Sequence, residues 1–254
     1  MRFTYSCRTD KGTVRENNQD SLVVKSAALG ASRVALAAVC DGVGGLSRGE
    51  EASRKAAELL SAWFDYELPQ IMGESGADRL MPRRLRQLVK EINQEIYCAN
   101  CRSHISSATT LTAVLLWDYR YLIAHIGDSR VYRIGRQARQ MTQDHSWVAQ
   151  EVAMGRMTWE EARKSDRQNV ILKCIGAEKE AEPDILEGHI QEETVFLLCT
   201  DGFWRLVEEP EWNVFFSPAA AREGNLTEHL YYMTEAVKRR GESDNITAVA
   251  IRVF

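Results

Sequence analysis

The chain is short of long apolar runs, of proline and of surplus positive charge. No apolar run reaches ten residues, whereas a membrane-spanning helix needs about 20. No apolar leader core follows MRFTYSCRTD, so a secretory signal is not expected. Acidic residues outnumber basic ones, 36 to 32, and a nucleic-acid binder usually shows the opposite balance. Neither a membrane nor a nucleic acid is therefore an expected partner. The five prolines and 16 glycines form no cluster that would split the chain, and no repeat or low-complexity segment stands out. A single domain over residues 1–254 is expected. Of the six cysteines, Cys40, Cys174 and Cys199 sit inside apolar runs, where cysteine acts as a small hydrophobe. Cys98 and Cys101 form a lone C-x-x-C on a predicted helix, without the second pair of a zinc site. A cytoplasmic, reduced protein is the simplest expectation.

What is present is strand signal at both ends of the chain and helix signal between. Phe3, Tyr5 and Cys7 alternate, and residues 22–25, 33–40, 110–116, 121–126, 131–134, 194–200 and 246–254 are β-branched or aromatic runs. Residues 117–120 read as a hairpin turn. Helical spacing places Ala52, Ala56, Leu59, Leu60 and Trp63 on one face of 49–63, and Leu85, Leu88, Val89, Ile92 and Ile96 on one face of 78–102. Residues 146–165 read as two short helices broken at Gly155, the second opened by Thr158 and Glu161 at capping-box spacing. A last helix spans 225–240 and stops at Gly241. The mixture predicts an α+β fold with mostly antiparallel sheet.

The strand ends carry the chemistry. VALAAVC runs into Asp41-Gly42, YLIAHI into Gly127-Asp128-Ser129, and VFLLCT into Asp201-Gly202. The last strand begins just after Asp244-Asn245, and Asp20 stands just before LVV. Antiparallel neighbours bring the end of one strand beside the start of the next, so these carboxylates can gather at one edge. Two like charges about 4 Å apart repel by about 4 kcal/mol at an effective dielectric near 20. A cluster of four or five requires protons or cations. Carboxylate-rich, all-oxygen sites suit Mg²⁺ or Mn²⁺. Zinc is disfavoured for want of histidine or cysteine ligand spacing, and the EF-hand pattern is missing. One Asp-Gly alone reads as a turn; three apolar runs that end alike reverse that reading. Gly42 can then offer its carbonyl, and Gly44 and Gly45 permit positive φ and close approach.

ENNQDS (16–21), DGVGG (41–45), GDSRVY (127–132), DHS (144–146), LLCTDG (197–202) and SDNITAV (243–249) resemble, in order, the signature blocks of the metal-dependent protein phosphatases. These are the type 2C serine/threonine phosphatases, or PPM family, and the likeness is to bacterial members. It runs from about Thr9 to the C-terminus. It implies a central sandwich of two antiparallel β-sheets flanked by pairs of antiparallel helices, a four-layer α-β-β-α arrangement, with metals at one end. It implies that Asp41 bridges two Mg²⁺ or Mn²⁺ ions, that Asp201 and Asp244 complete the shell of the first, and that the Gly42 carbonyl and Asp20 serve the second. Asp128 would help to hold a third, weaker ion, and Arg15 would grip the substrate phosphate. Asp41, Asp201 and Asp244 would thus be the catalytic residues. The two ions would activate a bridging water for direct attack on phosphoserine or phosphothreonine, reversing a cognate serine/threonine kinase, in a monomer. The flap would span about 146–168.

Departures from the pattern are also legible. Val43 stands where some members have a histidine that could act as general acid, Gln19 replaces a glutamate, and Lys173 and Ser165-Asp166 replace other flap-side residues. A thiol mechanism is not expected. His145 reads as a residue that holds the flap base, His125 as structural, Arg83, Arg84 and Arg86 as a solvated helix face, and Trp204 and Trp212 as packing residues.

Overall fold

The computed structural model describes residues 1–43, 48–222 and 225–254. Gly44 and Gly45 lie outside the described residues. The strands are β1 (Phe3–Asp10), β2 (Asp20–Leu29), β3 (Ser32–Asp41), β4 (Leu111–Trp117), β5 (Arg120–Ile126), β6 (Arg130–Ile134), β7 (Ala138–Gln140), β8 (Asp184–His189), β9 (Thr194–Cys199) and β10 (Ile246–Val253). The helices are α1 (Gly49–Tyr66), α2 (Leu68–Gly73), α3 (Ala77–Ser103), α4 (Trp147–Ala153), α5 (Trp159–Ala162), α6 (Asp201–Trp204), α7 (Glu209–Phe216), α8 (Pro218–Arg222) and α9 (Leu226–Arg239).

Period-two patterning builds a sandwich from these strands. One sheet has the order β1-β10-β9-β6-β7 and the other β2-β3-β4-β5-β8, with every pairing antiparallel. Along β3, Val34, Leu36, Ala38 and Cys40 face a cluster with Leu60, Trp63, Leu85 and Ile92 of α1 and α3. The alternate residues Ala35, Ala37 and Val39 enter the layer between the sheets, beside Phe196, Leu198, Val249 and Ile251. Ile246, Ala248 and Ala250 of β10 turn the other way, onto Phe203, Trp212, Leu230, Met233 and Val237. The four layers are therefore helix, sheet, sheet, helix, and the strand cores are apolar on both faces because both faces are covered. The outer layer on the β10 side combines α9 with the short α6, α7 and α8.

Turn chemistry fixes the β4–β5 register. Asp118 and Tyr119 adopt φ of +42° and +60°, and Trp117 pairs with Arg120 across a two-residue loop, the left-handed turn that suits the twist of a hairpin. The β2–β3 register matters most for function. Asp20, the first residue of β2, lies directly opposite Asp41, the last of β3. Like charges in that position oppose pairing, so the register carries an electrostatic cost that the surroundings must offset. Arg130 and Ala248 both pair with Cys199, which places the starts of β6 and β10 beside the end of β9. The residues that flank these ends, Asp128, Asp201 and Asp244, consequently share one end of the sandwich with Asp20 and Asp41.

Candidate metal centre at the end of the sandwich

Local backbone bonds hold each carboxylate in place. The Asp41 amide donates to Thr110 Oγ1 at 3.0 Å, and its carbonyl accepts from the Thr110 amide at 2.8 Å and from Thr109 Oγ1 at 2.9 Å. This ties the strand end to the segment before β4. Gly42 is pressed against two backbones: a Cβ there would lie 2.6 Å from the Gly49 carbonyl carbon and 2.7 Å from the Gln19 oxygen. Only glycine fits. Asn245 clamps the segment before β2, with Nδ2 donating to the Lys11 and Asn17 carbonyls and Oδ1 accepting from the Gln19 amide. Thr200 Oγ1 donates to Asp20 Oδ2 at 3.0 Å.

The electrostatics match the crowding. Asp20, Asp128 and Asp201 are buried and Asp41 is half-buried. Burial, then the charges of Asp20, Asp201, Asp128 and Asp244, raises Asp41 well above the usual carboxylate range. Burial is also the first cause of the upward shifts of Asp128 and Asp201. Burial, followed by the charges of Asp201 and Asp244 against the bonds from Thr247 and Thr200, pushes Asp20 up to about 7. A folded value above the unfolded one stabilises the protein at low pH, and that contribution is lost as pH rises through the folded value. In chelator, the unfolding midpoint should therefore fall between about pH 4 and about pH 7. The fall should be shallower in Asp20→Asn; equal slopes in the two proteins would refute the assignment.

Every predicted residue reaches this end. Arg15 donates its Nε to Asp244 Oδ1 at 2.9 Å and a terminal nitrogen to Asp244 Oδ2 at 2.7 Å, and it also feels the charges of Asp201 and Asp41. The residue expected to grip phosphate thus holds a carboxylate with the same bidentate fork. Among the described residues, no group of three His, Cys, Asp or Glu side chains is placed to hold a metal ion, and two of the expected ligands are engaged by arginine, Asp244 by Arg15 and Asp201 by Arg205. The donor set nevertheless suits hard divalent cations. Asp20 Oδ1, Asp128 Oδ1 and Asp201 Oδ1 are buried and meet no hydrogen-bond partner, an arrangement that buried carboxylates rarely keep without a proton or a cation.

Arg205 and Glu242 were not singled out in the sequence, although the spacing of Asp201 to Arg205 on a short helix was there to be read. The spacing from Cys199 to Arg205 is also formally the C-x₅-R of thiol phosphatases. Burial inside β9 pushes the Cys199 thiol far up, and Arg205 is bound to carboxylates, so no thiolate nucleophile results. Trp204 lies over the Arg130 guanidinium, 3.3 Å from carbon to ring centroid, and donates its indole N–H to the Asp128 carbonyl at 3.0 Å. Arg130 in turn pairs with buried Asp144 at 2.7 Å. His145 accepts from the Gly127 amide at 3.1 Å and sits 3.2 Å from Asp184, while its backbone bonds Gly127 and Leu172. It ties the turn after β5 to β8 and to Leu172. His125 is fully buried, and burial lowers it to about 3. Cys98 accepts from Gln94 on the same helix. Arg84 and Arg86 are engaged with Glu67, Glu91 and Glu182, so that helix face is a network of ion pairs. The Thr158–Glu161 capping box is formed at the start of α5.

Known proteins share this plan. The serine/threonine phosphatase stp of Listeria monocytogenes is 29% identical over 247 residues, which cover 96% of this chain and 93% of that protein. The crystal structure of the serine/threonine phosphatase Stp1 from Staphylococcus aureus superposes with a TM-score of 0.88 at 27% identity, covering 100% of this chain and 96% of the other. The catalytic domain of the serine threonine protein phosphatase PstP, solved in complex with two manganese ions, gives 0.78 at 31% identity and covers 99% of each. The family described as protein phosphatase 2C matches residues 12–230. A sequence match of that extent, on a fold shared from end to end, establishes that the chain belongs to the protein phosphatase 2C family of phosphoprotein phosphatases.

Proposed function

We propose that the chain hydrolyses phosphoserine and phosphothreonine in proteins at the carboxylate end of the sandwich. Asp20, Asp41, the Gly42 carbonyl, Asp201 and Asp244 would hold two Mg²⁺ or Mn²⁺ ions. The observation that carries this reading is the set of buried, unpartnered carboxylate oxygens on Asp20, Asp128 and Asp201, with the Arg15 fork held by Asp244 nearby. Bound there, divalent ions supply Lewis-acid charge and an acidified water for in-line displacement.

The residues of the chain do the rest. Arg15 presents two parallel N–H donors, the geometry that matches phosphate oxygens, and takes the substrate by exchanging Asp244 for phosphate. Asp41 stands at the centre of the cluster, where the charges of the other four aspartates meet. Thr110, Asn245 and Thr200 fix the spacing of the carboxylates through the bonds described above. Val43 carries no acid, and His145 is held by Gly127 and Asp184, so protonation of the leaving group falls to water. The substrates would be phosphoproteins made by a cognate serine/threonine kinase, met by a monomer in the cytoplasm. Net charge of −4 supports the absence of nucleic acid from this reading, and no helix among the described residues is long and apolar enough to cross a membrane.

The test is hydrolysis of a phosphothreonine peptide with Mn²⁺ and with chelator. Release of phosphate that depends on Mn²⁺ and stops in chelator is expected. Equal turnover in chelator would sink the metal reading.

A further inference from the structure

One cation of the chain is built into the acidic cluster itself. Arg205 closes α6 four residues after Asp201, with its amide donating to the Asp201 carbonyl at 2.9 Å. Its guanidinium pairs with Asp201 Oδ2 and approaches Glu242 Oε1 at 3.6 Å. The three side chains are 17%, 10% and 2% exposed. Glu242 Oε1 also accepts the amides of Ser243 at 2.9 Å and Asp244 at 3.0 Å. Arg205 therefore links the element that carries Asp201 to the turn that carries Asp244. It lines the same cavity as Asp128, which is 4% exposed and has an unpartnered Oδ1. Burial works against the Arg205 charge, but Asp201, Glu242, Asp128 and Asp244 outweigh it and hold its pKa above the ordinary value.

We propose that Arg205 is an internal cation of the metal centre, one that neutralises the Asp128–Asp201–Glu242 side and so limits the cluster to two divalent ions. A guanidinium cannot be deprotonated in a protein, so its charge is present at every working pH. A further divalent ion beside Asp128 would have to separate Arg205 from Asp201 and then stand against the displaced positive charge. The third, weaker ion that the sequence resemblance assigns to Asp128 is thus replaced by a side chain. Arg205 is a positioning residue as well, because the carboxylate that it neutralises caps the Asp244 turn. The inference rests on the reading that the cluster holds two divalent ions.

Calorimetric titration of Mn²⁺ into chelator-stripped protein tests it, with electron paramagnetic resonance of free Mn²⁺ as an independent count. The native chain should bind two ions, Arg205→Gln one more, and Arg205→Lys, which keeps the charge, two again. Should Arg205→Gln fail to fold with Glu242 left buried and unpaired, the double variant Arg205→Gln/Glu242→Gln removes that stranded charge and should also bind one more ion than the native chain. Three ions on the native chain, or two on whichever charge-removed variant folds, would overturn the proposal. No ion on the native chain would instead overturn the two-metal reading itself.

Discussion

Asp41→Asn should lower Mn²⁺-dependent turnover by more than about 100-fold, since even residues one shell removed from a metal change affinity or activity by about 10–100-fold. The same substitution should raise the unfolding midpoint in chelator. Both effects come from one geometry. Asp41 faces Asp20 across the β2–β3 ladder and feels Asp201, Asp128 and Asp244 as well. Without divalent ions these charges oppose folding, and asparagine removes one of them at nearly constant shape. The backbone bonds to Thr109 and Thr110 do not involve the carboxylate, so the strand end should survive. For a chain of this size each kcal/mol relieved raises the midpoint by about 2–4 °C. Added Mn²⁺, which should stabilise the native chain strongly, should stabilise the variant much less. Thermal unfolding with and without Mn²⁺, beside a turnover assay, checks all three statements. A variant less stable than the native chain in chelator would show that Asp41 braces the fold and is not a strained ligand.

Arg15→Ala should reduce kcat/KM for a phosphopeptide by about 10²–10³-fold, the usual cost of losing one aimed donor at a charged transition state. The expectation follows from the bidentate grip on Asp244, which shows that the fork is planar, extended and directed at an anion beside the cluster. Arg15→Lys should recover little, because an ammonium supplies a point charge and not a fork. Removing Arg15 also frees Asp244, so Mn²⁺ binding should be retained or tightened. That separates the two roles of the residue. An unchanged KM together with altered Mn²⁺ affinity would assign Arg15 to Asp244 alone.

Much of this was legible in the residues. The near-continuous apolar runs of β3, β9 and β10 mark strands covered on both faces, and the hairpin at 117–120 and the capping box at Thr158 announce themselves by local chemistry. Elements that lack such signals were missed. The strand Asp184–His189 contains Asp184, Glu187 and Gly188, poor strand formers, and is only partly buried; its pairing with β5 alone makes it a strand. The helices α6, α7 and α8 are too short for helical periodicity to emerge, and packing under the β10 sheet decides them. Arg84 and Arg86 looked like a solvated face because their acids are supplied partly from distant positions, Glu67 and Glu182.

By itself the sequence determined that aspartates terminate apolar strands of an α+β fold with mostly antiparallel sheet, and its resemblance to a known family added the two-sheet sandwich. It could therefore point to a carboxylate-rich end as a candidate metal centre and name Asp20, Asp41, Asp128, Asp201 and Asp244. Only the tertiary structure decided which charges meet. The register sets Asp20 against Asp41, and the turn before β10 delivers Asp244 to Arg15 and Glu242 to Arg205 across 229 and 37 positions of chain. Ion pairing depends on distances of a few ångströms, and no local pattern encodes a distance between residues that only folding brings together.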